Sequence, residues 1–203
     1  MSLAKGQNPN RPEPGSSIKV EPIRTKAAID NIKKILRDRP RNLCLFTLGV
    51  NTAFRAGELL SIRVGQVRSL DVGDALDLKQ SKTRKYRLVT LNRPAVAAIQ
   101  DSLRRDPRLQ RADDDDYLFY SRFVDALTVP TLTNMVKSWC QTVGLKGNYG
   151  SHSMRKTWGY WQYKSGKPLP LLMEAFGHVT QQQTLAYLCI QAQEVAELYD
   201  LEL

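Results

Sequence analysis

The reading of this chain turns on residues 151–187. They open as Ser151-His152-Ser153-Met154-Arg155-Lys156, pass through Phe176-Gly177-His178, and reach Tyr187 nine residues beyond His178. The chain has two histidines, and both lie in this stretch. Its apolar spacing predicts helices over about Met154 to Lys164, Leu169 to Phe176 and Gln181 to Cys189, with one more over Ala192 to Tyr199. His152 and Arg155 are three residues apart. If both lie at a helix start, they project from one face. Trp158, Tyr160, Trp161 and Tyr163 make that helix aromatic, which reads first as core packing and second as base stacking.

Upstream, Thr25 is placed to cap a helix bearing Ile29, Ile32, Ile35 and Leu36. Pro40 ends that helix, and a second runs from about Arg41 to Ala53. The segment Gly49-Val50-Asn51-Thr52-Ala53-Phe54-Arg55-Ala56-Gly57-Glu58-Leu59-Leu60 leads into a short third helix. The period then changes. Ala75 to Lys79 and Tyr86 to Leu91 alternate apolar and polar around the basic stretch Gln80-Ser81-Lys82-Thr83-Arg84-Lys85, which predicts a β-hairpin with a basic tip. Pro94 starts a further helix as its first residue, and another covers about Thr131 to Val143. The predicted class is α+β, mainly helical with a small antiparallel hairpin. Residues 1–18 hold Gly, Pro, Ser and Asn with few apolar residues, which predicts a disordered lead-in to the folded part, 1–24 in all. One domain follows over 25–190, then a tail over 191–203.

Composition narrows the function. The 203 residues carry 30 Lys+Arg against 20 Asp+Glu, a net charge of +10, which points to a polyanionic partner. Of the basic residues 22 precede residue 111, whereas the last 20 residues have no Lys or Arg and four acids, Glu194, Glu197, Asp200 and Glu202. That polarity separates a cationic surface from an acidic, apolar tail. No run approaches the roughly 18 apolar residues of a membrane span, and no signal-peptide core opens the chain. Cys44, Cys140 and Cys189 are odd in number, far apart and set among apolar residues. They read as small core residues in a reducing cytoplasm, not as a disulfide framework or a zinc site. Asp113 to Asp116 read as a solvated loop, not a metal site.

Taken together, Arg55 with Glu58 in its turn, a hairpin lysine, His152-x-x-Arg155, Gly177-His178 and Tyr187 resemble the catalytic domain of the tyrosine recombinase (phage integrase) family. The resemblance covers roughly residues 25–190. Departures are Ala53 where Gly is usual, Met154 in place of Leu, and Phe176 in place of Leu before Gly-His; none removes a reactive group. The resemblance implies a site-specific DNA recombinase or integrase, of a phage or other mobile element, working through a 3′-phosphotyrosyl intermediate without metal, ATP or other cofactor. Tyr187 is then the nucleophile, Arg55 and Arg155 the phosphate clamp, His152 a proton-transfer group and His178 a phosphate donor. Lys82 is the acid for the leaving oxygen, with Lys85 as the alternative, and Glu58 orients the arginines. Arg84, Lys85, Arg87 and Lys156 are expected on the DNA backbone.

Those residue types suit the task. Arginine stays charged and grips phosphate oxygens through a planar fork. A phenol is protonated near neutrality and needs a proton acceptor to attack. The expected partner is double-stranded DNA, with no membrane or small-molecule substrate. A homo-oligomer is expected on DNA, tetrameric in the synapse, with the 191–203 tail exchanged between protomers or docked on its own domain. Only about 24 residues precede the first helix where family members carry a DNA-clamping domain, so weak, salt-dependent binding is expected of this unit. The alternatives are a type IB topoisomerase-like nicking-closing enzyme and a non-catalytic DNA-binding protein.

Overall fold

A computed structural model describes residues 19–79, 86–122 and 126–190. Helix α1, Lys26–Ile35, starts where the Thr25 side chain accepts the Ala28 N–H. Ile32 and Leu36 are buried, while Ile35 is exposed. Helix α2, Pro40–Asn51, begins at the proline itself, whose fixed φ suits a first turn. It is the central rod, packed on both α4 and α6, and buries Cys44, Leu45, Phe46 and Leu48. Helix α3, Ala56–Leu60, is a short turn-and-a-half entered through Arg55.

Strands β1, Ala75–Lys79, and β2, Tyr86–Thr90, form one antiparallel hairpin, in register from Ala75 opposite Thr90 to Lys79 opposite Tyr86. Leu76 and Leu78 face the core, as does Leu91, just past β2. Leu88 points outward and is exposed. The alternation in β2 therefore runs through Val89 and Leu91. Helix α4, Arg93–Arg105, is capped by Asn92, which puts Pro94 second in the helix, one place later than expected. Helix α5 is Val129–Thr142, started by Thr128. Helix α6 is Ser151–Lys164. It begins three residues earlier than its apolar spacing predicts, because the Gly150 N–H is satisfied by the Ser153 hydroxyl and the Ser153 N–H by the Gly150 carbonyl. His152 is thereby helical. Helices α7, Leu169–Phe176, and α8, Gln181–Leu188, follow.

The observed architecture is mainly helical with one small antiparallel sheet, as predicted. It has two apolar clusters. The larger joins α1–α5 and the hairpin, with Met154 from α6. A smaller one, Ala53, Leu172, Phe176 and Leu188, lies under α7 and α8 and is flanked by Trp158 and Tyr187. Asp113 to Asp116 are exposed and tied locally, Arg68 donating to Asp114 at 2.9 Å and Arg63 to the Asp115 carbonyl. Cys44 and Cys140 are buried, but Cys189 is only half-buried and ends α8 in the left-handed region, φ +55°. Among the described residues no helix is long and apolar enough to cross a membrane.

Candidate active site

The candidate site residues gather around the smaller cluster. Arg55 precedes α3, and Glu58, in its first turn, folds back on it. The Arg55 N–H donates to Glu58 Oε2 at 2.7 Å, and Nη1 donates to Oε1 at 2.8 Å. An acid in a first helical turn also suits the positive end of the helix. Glu58 is buried, while the Arg55 side chain remains about one-third exposed, at 36%. It is held by Glu58 yet partly open to solvent.

Arg155, on α6, is buried. It donates through Nη1 to the Ala53 carbonyl and through Nη2 to the Phe176 carbonyl at 2.9 Å. Arg55 Nη2 donates to that same carbonyl at 3.3 Å. Two guanidiniums therefore meet at the C-terminal, partially negative end of α7. Gly177 makes the turn possible. It sits at φ +67°, a conformation that costs a side-chain-bearing residue energy. The following His178 N–H returns to the Met173 carbonyl at 2.9 Å, closing the helix end.

That turn aims the His178 ring at α8. Its Nδ1 lies 3.1 Å from the Thr184 hydroxyl, and its ring centre 5.1 Å from that of Tyr187. Burial, then the charges of Arg155 and Arg55, hold its pKa below the ordinary imidazole value. Tyr187 packs against Phe176 at 5.0 Å. Its hydroxyl is closed off from solvent and lacks a well-formed hydrogen bond among the described residues. Burial raises the phenol pKa, with Arg155 and Arg55 pulling in the opposite direction.

Phe176 is the hub. It is fully buried, lies under the Arg155 guanidinium at 5.0 Å, and packs edge-on to Trp158 at 5.6 Å. Gly159 makes room for it: a Cβ there would sit 2.3 Å from Phe176 Cζ.

His152 is exposed and shares with Tyr187 and Lys156 a cavity of about 380 Å³, also lined by Lys19 and Val20. Lys156 was expected to face DNA but is 6% exposed and turned inward. Its Nζ lies 4.9 Å from the Tyr187 ring centre and 3.1 Å from Cys189 Sγ. Arg87 sits in β2 opposite Leu78; its side chain, and Lys82, Arg84 and Lys85, lie outside the described residues. Thus the structure brings together Arg55, Glu58, Arg155, His178 and Tyr187, with His152 lining the cavity that Tyr187 also lines. Sequence reasoning missed Thr184 as the His178 partner, although its three-residue spacing from Tyr187 places both on one helix face. It also missed the Phe176 carbonyl, which no side-chain motif marks. Among the described residues no group of three His, Cys, Asp or Glu is arranged to hold a metal.

The comparisons bear on the same elements. The model of the phage integrase family matches residues 23–194. The probable integrase/recombinase YoeC of Bacillus subtilis (strain 168) is 27% identical over 184 residues, which cover 89% of this chain and 95% of that protein. The tyrosine recombinase XerC of Alcanivorax borkumensis is 26% identical over 165 residues, covering 81% of this chain and 52% of XerC. The chain thus spans nearly all of YoeC but about half the length of that XerC. Among solved structures, the XerA recombinase superposes with a TM-score of 0.73 at 20% identity, over 87% of this chain and 63% of XerA. The XerH site-specific recombinase, in its post-cleavage complex with palindromic difH substrate, gives 0.69 at 25% identity, over 86% and 49%. With its family match spanning both clusters and its site built on α3, α6, α7 and α8, the chain belongs to the phage integrase family and has the fold of the tyrosine recombinase catalytic domain.

Proposed function

We propose that this protein cuts and rejoins double-stranded DNA through a 3′-phosphotyrosyl intermediate, as a site-specific recombinase of a mobile element. The observation that carries this reading is the meeting of Arg55, Arg155, His178 and Tyr187 at one end of α7. A scissile phosphate offers Arg55 and Arg155 charged oxygens in place of the neutral Phe176 carbonyl. His178, fixed through Nδ1, presents its other ring nitrogen to the same group. The Tyr187 oxygen attacks phosphorus and forms the Tyr–O–P bond as the bond to the 5′ oxygen breaks. The phenolic proton passes to a base, the role proposed for His152, and the leaving oxygen takes a proton from Lys82 or Lys85. Each preorganised donor contributes about 2.7–4 kcal/mol to such a charge-building step. The phosphotyrosyl ester conserves the energy of the broken link, so a 5′-hydroxyl reverses the step without ATP. XerH, seen with its difH substrate after cleavage, supports DNA as the partner. On the same reading residues 25–190 are the catalytic unit, preceded by a lead-in whose last residues, 19–24, pack on it, and the protein assembles on DNA as a tetramer, with residues 191–203 exchanged between protomers or docked on their own domain.

The test is covalent capture. A panel of nicked suicide duplexes should give a protein–DNA adduct on a denaturing gel, and Tyr187→Phe should abolish it while retaining DNA affinity. The same variant should stay within about 1 kcal/mol of the wild type in stability, because the hydroxyl it deletes is buried beside Arg155 without a well-formed hydrogen bond. An adduct from Tyr187→Phe would refute the nucleophile assignment. No adduct with any duplex would favour a binding-only protein.

A further inference from the structure

The segment ahead of α1 is not a passive lead-in over residues 19–24. It crosses the end of α8, 165 residues away in sequence. Its backbone is anchored to α6 and the loop before it: the Ile23 N–H donates to the Thr157 hydroxyl at 2.8 Å, Trp161 Nε1 to the Ile23 carbonyl at 3.1 Å, and the Glu21 N–H to the Asn148 carbonyl at 2.8 Å. From this strap the Arg24 guanidinium donates to the Cys189 carbonyl and lies over the Tyr160 ring at 5.0 Å. Lys156 reaches the same turn from α6, its Nζ 3.1 Å from Cys189 Sγ. Two cations therefore meet the negative end of α8, two residues past Tyr187, where they offset its helix dipole.

We infer that the 19–24 strap is a positioning element for the nucleophile: Arg24, with Lys156, pins the C-terminal turn of α8 and so holds Tyr187 in register with His178 and the arginine pair. The inference rests on the catalytic reading above and goes beyond it, because neither cation touches the reacting atoms. It also assigns Lys156 to protein geometry and not to a phosphate. A pin of this kind changes the rate of the chemical step and leaves DNA affinity alone. Whatever moves the strap also moves the nucleophile.

The experiment compares the whole chain with Arg24→Gln, Arg24→Lys and Lys156→Met. Amide hydrogen exchange without DNA reads the pin directly. Exchange at residues 181–190 should rise by about tenfold in Arg24→Gln and Lys156→Met, with α2 unchanged. Single-turnover adduct formation, on the duplex that gives the wild type its largest yield, should fall by about tenfold or more in both, with unchanged Kd and salt dependence. Arg24→Lys should recover most of the rate. A phosphate-contacting Lys156 would instead lose affinity and about one unit of salt slope on mutation, which would overturn its assignment. Unchanged exchange at 181–190 would overturn the pin. Exchange that rises equally in α2 and α8 would reduce Arg24 to a general stability role, and Lys156→Met then decides the matter from the other side of the same turn. Failure of the wild type to form any adduct would sink the catalytic reading while leaving the exchange result standing.

Discussion

Gly159→Ala should separate activity from folding without altering any reactive group. The added Cβ would fall 2.3 Å from Phe176 Cζ, 2.8 Å from its Cε2 and 2.9 Å from Leu188 Cδ2. Carbon atoms settle near 3.5 Å at closest comfortable approach, so the ring must retreat by about 1.2 Å. It has nowhere to go, since Trp158, His178 and Tyr187 close on it. Overpacking of this kind costs about 1–3 kcal/mol, and the helical preference of alanine over glycine returns about 1. The net loss of about 0–2 kcal/mol corresponds to a Tm fall of no more than about 8 °C in a chain of this size. Catalysis is far less tolerant. Phe176 carries the carbonyl that both guanidiniums share, and its ring backs Tyr187. A misplacement of about 1 Å at such a centre costs on the order of 100-fold in rate. Adduct formation on a suicide duplex should drop by that order while the protein remains folded by circular dichroism. Phe176→Leu, which removes the colliding Cζ, should restore most of the rate when combined with Gly159→Ala. A Gly159→Ala protein within about threefold of the wild-type rate, or a double variant no better than the single, would refute the hub role of Phe176.

Two further outcomes follow from the same geometry. Thr184→Val keeps the volume of a fully buried side chain but removes the partner of His178 Nδ1; the adduct rate should fall by about tenfold, the rate equivalent of one hydrogen bond of about 1.4 kcal/mol, and Thr184→Ser should largely restore it. His178 is held below its ordinary pKa by burial and two arginines, so the folded state takes up its proton less readily than the unfolded chain. The stability it contributes is present above the ordinary imidazole pKa of about 6.5 and is lost as pH falls through the lowered folded value. Wild-type Tm should therefore drop more steeply than that of His178→Gln between pH 7 and pH 5; parallel curves would remove His178 from that response.

Much of this organisation was legible in the chain because it is local. Thr25 announces a helix start through its own side chain, whereas the fixed φ of Pro94 marks the start of α4 one place late, because Asn92 caps it. The two alternating stretches mark the hairpin, and the predicted bounds of α7, Leu169 to Phe176, match the observed ones. Pattern fails where tertiary contact overrides it. Leu88 is apolar yet outward, since Val89 and Leu91 already fill the inner face. The start of α6 was set by a Gly150–Ser153 exchange of hydrogen bonds, which apolar periodicity does not register. Motif spacing gathered Arg55, Arg155, His178 and Tyr187, because each motif carries its own residue. What it could not supply was the medium between them: a backbone carbonyl, a ring with a glycine-shaped recess, and an arginine arriving from the far end of the chain. Lys156 illustrates the limit. Beside Arg155 in sequence it looks like one more cation for DNA, yet one residue of helical rotation turns it toward Tyr187 and Cys189.

The division of the interior into two apolar clusters has a genetic consequence. The larger one, built from α1–α5 and the hairpin, holds most of the buried surface and so governs whether the chain folds and accumulates. The smaller one, around Phe176 and Leu188, contributes little area but seats every group at the end of α7. A library scored once for soluble yield and once for strand transfer should therefore draw two different maps. Leu45, Phe46 and Ile99 would be marked by the first screen. Changes at Gly159, which crowd Phe176 without opening a cavity, would be marked chiefly by the second, so this protein can lose activity by steps that leave its abundance nearly unchanged.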